Sequence, residues 1–181
     1  MHGIRATYRL QLSSSFDFTA AARIAPYLAR LGVSDLYLSP VTRARPGSVH
    51  GYDITDHNEI NPELGGLDGL RTLRAAAGEH GMHWLQDIVP NHMAYDEANA
   101  GLMDVLAKGR DSAFAGWFDI DWDHPDPALS GRLHAPFLGA PYARCLENGD
   151  IRVVYEHDRF YAAYYDRRLP LRAETRRTLI A

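Results

Sequence analysis

The chain has 181 residues and 20.3 kDa, with 46% hydrophobic and 23% charged residues, a balance that excludes disordered, collagen-like and fibrous classes. The 19 Lys and Arg against 23 Asp and Glu give a net charge of -4, without the basic excess that grips a phosphate backbone, so no nucleic-acid partner is expected. Apolar runs fall far short of the roughly 20 residues that a membrane span needs, and no basic segment precedes an apolar one at the start, so no membrane partner and a cytoplasmic location are expected. Cys145 is single and forms no internal disulfide.

The first predicted strand is Ala6 to Leu12, ended by Ser13-Ser14-Ser15. Thr19 is placed to cap a helix whose stripe is Ile24, Tyr27, Leu28 and Leu31, with a kink or fresh start expected at Pro26 and a stop at Gly32. Asp35 to Leu38 then reads as a short buried strand closed by Ser39-Pro40. A second helix is predicted from about Leu67 to His80, with Leu67, Leu70, Leu73 and Ala77 on its inner side, and Gly81 leads into a third strand, His83 to Val89, closed by Pro90.

Strand, helix, glycine and strand, repeated, is the pattern of βαβ units on a parallel sheet, so the class is α/β. Val41 to Gly66 reads as one long loop, far beyond the 2–6 residues usual for such a connection, and loops of that size usually carry function or are disordered. After Pro90 the pattern changes. Ala98 to Ala107 looks helical, Phe118 to Asp123 is aromatic and acidic, Ile151 to Glu156 with Arg159 to Tyr165 reads as a hairpin turning at His157-Asp158, and Thr175 to Ala181 can begin a helix. Three parallel strands do not close a barrel of about eight strands, so residues 1–93 are expected to be the N-terminal part of a (β/α)8 barrel. Residues 94–181 are expected to form an inserted α+β subdomain, the remainder of the barrel being needed for a complete fold.

In parallel α/β folds ligands sit beyond the carboxyl ends of the strands. Those positions are polar here: Gln11 after strand one, His50-Gly51-Tyr52-Asp53 after strand two, and Asp87-Ile88-Val89-Pro90-Asn91-His92 at strand three. A carboxylate, an amide and an imidazole within six residues supply the donors and acceptors that grip hydroxyls, and a nearby tyrosine can stack on the apolar face of a sugar. The same residue types also cap helices and close turns, so Asp87 and His92 stand open between the two roles.

Asp87 to His92 resembles the first signature of the α-amylase superfamily, glycoside hydrolases on a (β/α)8 barrel. Leu38-Ser39-Pro40, Ala44 to Ser48, His50 to Asp53, Ile60 to Gly66 and Asn91 to Ala94 are similar, more narrowly, to the maltooligosyl trehalose synthases of glycoside hydrolase family 13. Phe118 to Trp122 and Tyr164 to Arg168 resemble that family's subdomain B. The resemblance implies an intramolecular transglucosylation that turns the reducing-end α-1,4 bond of a maltooligosaccharide into an α,α-1,1 bond. Such a reaction fits two displacements with retention, using two carboxylates about 5 Å apart.

By that resemblance Tyr52 stacks on the sugar, His92 bonds its primary hydroxyl, and His50 is a further sugar contact. Asp87 anchors the strand end and Asn91 and Asp53 order the site. The family's nucleophile Asp follows a Gly-x-Arg-x-Asp pattern that is absent here, so the nucleophile, the acid/base Glu and the stabilising Asp are expected beyond residue 181, and the isolated chain is expected to be inactive. No cofactor is implied. Asn99 to Asp104 departs from relatives that carry tryptophans there. An amylase-like hydrolase and a non-catalytic glucan-binding fragment are the alternatives.

Other motifs carry less. Asp119-x-Asp121-x-Asp123 is followed by His124 and Ser130 at positions six and twelve, which excludes an EF-hand, and His80-x-x-His83 straddles Gly81 without further ligands, so no metal is expected. Arg167-Arg168 and Arg176-Arg177 read as solvated surface, and Tyr155, Tyr161, Tyr164 and Tyr165 either line a groove or pack the hairpin.

Overall fold

A computed structural model describes residues 3–133 and 137–180. The chain divides into two compact units, Met1–Ala94 and Tyr95–Ala181, each taken by itself.

The first unit runs β1 (Thr7–Leu10), α1 (Phe18–Leu31), β2 (Asp35–Leu38), β3 (Thr42–Ala44), β4 (Ile54–Ile60), a 3-10 turn at Pro62–Leu64, α2 (Gly66–Glu79) and β5 (His83–Gln86). β1, β2 and β5 form a parallel sheet in that order, with Leu10, Leu38 and Gln86 level with one another. The ladder continues one residue further, where the N–H of Ser39 donates to Leu10 O at 3.1 Å and that of Asp87 to Leu38 O at 3.0 Å. Strand alternation separates two faces. Leu10, Leu36, Leu38 and Trp84 join the core built with α1 and α2, whereas Arg9, Tyr37 and Leu85 point to the other side, where Leu85 is 47% exposed.

α1 starts earlier than expected, because the side chain of Asp17, not Thr19, caps it by accepting the N–H of Ala20 at 2.8 Å. It continues through Pro26 to Gly32, whose φ of 93° supplies the left-handed terminus that favours glycine. Its buried face is Phe18, Ala21, Ala25 and Leu28, while the predicted stripe residues Tyr27 and Leu31 are exposed. Large side chains dominate a periodicity reading, but small alanines let the helix lie close on its neighbours, and that face won. In α2, Leu73 and Ala77 are buried as predicted and Leu67 is exposed.

The segment read as one long loop contains an antiparallel pair, β3 with β4, irregular in register and held by Arg43 Nη1 to Glu59 Oε2 at 2.6 Å. Strand one and strand three are shorter than predicted, ending at Leu10 and Gln86.

In the second unit α3 (Ala100–Lys108) is capped by the fully buried Asn99, whose Oδ1 accepts the N–H of Leu102 at 3.1 Å. A short α4 (Tyr142–Glu147) precedes an antiparallel sheet, β6 (Ile151–Glu156), β7 (Arg159–Tyr164) and β8 (Arg167–Pro170), and α5 (Ala173–Ile180) follows. β6 and β7 turn at His157 and Asp158, with φ of 50° and 59°, the two-residue turn whose twist suits a hairpin. β8 and α4 have no counterpart among the predicted elements. Ala181, included in the predicted final helix, lies outside the described residues. Tyr164 packs against Phe137, with ring centroids 5.8 Å apart, whereas Tyr155 and Tyr165 are exposed.

Candidate functional site

The level ends of β1, β2 and β5 bring their side chains onto one edge of the sheet, on the face away from the helices. There Asp87 is the hub. Its Oδ2 accepts the Tyr52 hydroxyl at 2.5 Å and Arg9 Nη1 at 3.3 Å, with the Tyr37 hydroxyl at 3.5 Å. Arg9 Nη2 also donates to the Tyr52 hydroxyl at 2.9 Å and to Gln11 Oε1 at 3.2 Å, and the guanidinium carbon stands 4.7 Å from the centre of the Tyr37 ring. Gln11 Nε2 donates in turn to the backbone carbonyl of His50 at 3.2 Å. The network therefore spans two strands, the residue after the third, and the loop between β3 and β4.

These contacts fix charge. Asp87 is held below the usual carboxylate range, first because the Tyr52 hydroxyl donates to it, against the opposing effect of burial, with help from Arg9 and Tyr37. Tyr52 is pushed above the usual phenol range, first by its bond to Asp87 and then by burial, while Arg9 pulls it back. Asp87 is thus an ionised acceptor and Tyr52 a neutral donor at neutral pH.

The loop that carries Tyr52 is wound on itself. Ser48 Oγ donates to Asp53 Oδ1 and accepts the N–H of Gly51 at 3.1 Å, and the N–H of Arg45 reaches Asp53 O at 2.9 Å. Gly51 has φ of 77°, and a Cβ there would stand 2.8 Å from Pro40 O, so glycine is demanded both by conformation and by space. His50 Nδ1 accepts the N–H of Tyr52 at 3.0 Å, which leaves the ring proton on Nε2. The 3.7 Å approach of the same Nδ1 to Asp53 is consequently no ion pair while that bond stands.

The structure brings Tyr52, Asp87 and the His50 backbone together, and sets Asp53 in the adjoining loop. His92 and Asn91 are exposed and bonded to each other, Nδ1 to Oδ1 at 3.2 Å, without a hydrogen bond to the Asp87 cluster among the described residues. Arg9 and Tyr37 were missed. A signal existed for Arg9, since a charge inside a strand expected to be buried on both faces calls for a counter-charge, and Asp87 at a strand end was the available one.

Residues 21–132 match the family model described as alpha amylase, catalytic domain. The chain is 49% identical over 142 residues to a protein of Mycobacterium tuberculosis named as a maltooligosyl trehalose synthase, a match that takes in 75% of this chain and 18% of the relative. Among solved structures, a maltooligosyl trehalose synthase superposes with a TM-score of 0.83 at 41% identity, covering 93% of this chain and 22% of that one. The maltooligosyltrehalose synthase of Arthrobacter ramosus does so with a TM-score of 0.80 at 43% identity, covering 94% and 21%. The chain therefore spans about a fifth of the length of these relatives. With more than half of its residues inside the catalytic-domain match, the chain belongs to the α-amylase family.

Proposed function

We propose that this chain supplies the N-terminal, substrate-facing part of a maltooligosyl trehalose synthase, a cytoplasmic enzyme that isomerises the reducing-end α-1,4 bond of a maltooligosaccharide to an α,α-1,1 bond. The observation that carries the reading is the meeting of Tyr52, Asp87 and Arg9 at the level carboxyl ends of three parallel strands, in a chain similar to such synthases over nearly all its length. The ring of Tyr52 offers a flat apolar face to a glucose unit, His92 its second ring nitrogen for the primary hydroxyl, and His50 a further contact. Asn91 and Asp53 order the loops around them.

Asp87 serves as an organiser in this reading. A general acid needs a raised pKa, and the pKa of Asp87 is depressed, while its Oδ2 is engaged by Tyr52 and Arg9 in holding the strand ends together. The retaining chemistry then draws on a carboxylate pair about 5 Å apart that this cluster does not provide, so the 181-residue chain alone is inactive in this reading.

The test exchanges this chain for the matching segment of the mycobacterial relative and follows maltopentaose. Reducing ends that disappear without release of glucose support transglucosylation; reducing ends that increase assign the segment to a hydrolase. Turnover by the 181-residue chain on its own, abolished by Tyr52→Ala, would overturn the claim of inactivity.

A further inference from the structure

We infer that Arg9 is a positioning residue for the sugar platform, acting through the hydroxyl of Tyr52 and the backbone of His50. This rests on the reading of Tyr52 as a sugar contact and adds what holds it in place.

Three observations carry it. First, the one proton of the Tyr52 hydroxyl is committed: it goes to Asp87 at 2.5 Å, and the oxygen accepts from Arg9 Nη2 at 2.9 Å. A phenol so engaged has no proton to spare for a ligand and offers it chiefly the ring face, so what matters is where the ring is held. Second, one guanidinium reaches three partners, since Nη1 meets Asp87 at 3.3 Å while Nη2 meets both Tyr52 and Gln11 at 2.9 and 3.2 Å. An ammonium on a flexible stem cannot reproduce that planar fork. Third, Gln11 passes the constraint on by donating to His50 O at 3.2 Å, and the N–H of Tyr52 closes on His50 Nδ1 at 3.0 Å. The two residues that flank Gly51 are thereby tied to the first strand and its end, through Arg9 and Gln11. The guanidinium carbon of Arg9 also stands over the Tyr37 ring, 4.7 Å from its centre, a cation–π contact that further restrains the side chain.

The experiment measures maltopentaose affinity by calorimetry for the chain and for Arg9→Ala, Arg9→Lys, Tyr52→Phe and the Arg9→Ala/Tyr52→Phe pair, and follows the Tyr52 ring carbon bearing oxygen by NMR through an alkaline titration. Arg9→Ala is expected to weaken binding about tenfold, the scale of a lost charge-assisted bond. Arg9→Lys should stay within about twofold of Arg9→Ala, because the fork rather than the charge positions the ring. In the Tyr52→Phe background Arg9→Ala should add clearly less than the tenfold, since only the route through Gln11 and the His50 backbone then remains. Full rescue by lysine, or an undiminished tenfold effect in the Tyr52→Phe background, overturns the inference.

The titration separates this inference from the one beneath it. Arg9 lowers the Tyr52 pKa, so Arg9→Ala should move the Tyr52 titration to higher pH. If the unmodified chain fails to bind maltopentaose, the sugar-contact reading fails, and the positioning claim stands or falls on whether that titration moves.

Discussion

Replacing Asp87 by asparagine removes a charge while keeping the shape of its side chain, and the structure sets the size of the loss. The Tyr52 bond at 2.5 Å belongs to the charge-assisted class, worth about 1.5–3 kcal/mol, of which an amide oxygen recovers part. The Arg9 contact at 3.3 Å involves a side chain 36% exposed and is nearer to a surface pair, about 0.2–1 kcal/mol. The Tyr37 contact at 3.5 Å is too long to count. Asp87→Asn should therefore cost the first unit about 1–2 kcal/mol at neutral pH.

The pH dependence has a definite sign. The folded chain holds Asp87 below its ordinary pKa, so its contribution is complete above the unfolded value of about 3.9 and is lost as pH falls through the folded one. Urea unfolding followed by Trp84 fluorescence, in a chain carrying Trp117→Phe and Trp122→Phe so that β5 alone reports, reads the first unit. The stability gap between the chain with its aspartate and the Asp87→Asn variant should be full at about pH 7 and close as pH falls below about 4 and through the lowered pKa of Asp87. Equal stability at pH 7, or a gap that survives unchanged into acid, would refute the assignment of Asp87 as the ionised hub.

Gly51→Ala forces a side chain into a left-handed residue and against Pro40 O, and should cost about 2 kcal/mol or more and loosen the Tyr52 loop, seen as faster amide exchange at position 51 and at Tyr52. Ser39→Ala strips the acceptor from the N–H of Leu12, which Ser39 Oγ meets at 2.9 Å in the core, and should cost about 1–3 kcal/mol with faster exchange of the Leu12 amide. Asp158→Gly relieves a left-handed residue in the β6–β7 turn and should stabilise the second unit by about 0.5–1 kcal/mol, less the exposed bond from Tyr155 at 3.2 Å, raising its melting temperature.

What was legible follows from signal strength. Asp35–Leu38 is a compact apolar run next to Gly32, and the hairpin around His157-Asp158 has β-rich flanks, so both could be read directly. β4 carries Thr, Asp, His, Asn and Glu between its terminal isoleucines, and the register shifts of its partner break any alternation, so the pair β3–β4 was hidden in a stretch rich in turn residues. β8 starts directly after the turn that holds the left-handed Tyr165 and ends at Pro170, too short to declare itself, and α4 has only six residues. At the site, Tyr52, His50 and Asp87 stood out because they follow strands. Arg9 and Tyr37 lie within strands, and beyond the unpaired charge of Arg9 it takes the register of β1 on β2, and of β2 on β5, to disclose that they reach the same point.

The parity of β1 makes this short strand intolerant of changes in length. Deleting one residue between Ala6 and Leu10 would exchange inside for outside along the strand, turning a guanidinium toward the alanines of α1 and Leu10 toward Tyr37. A substitution here damages either the core or the polar edge, whereas an insertion or deletion damages both together. The residue count of this stretch is therefore constrained more tightly than its composition.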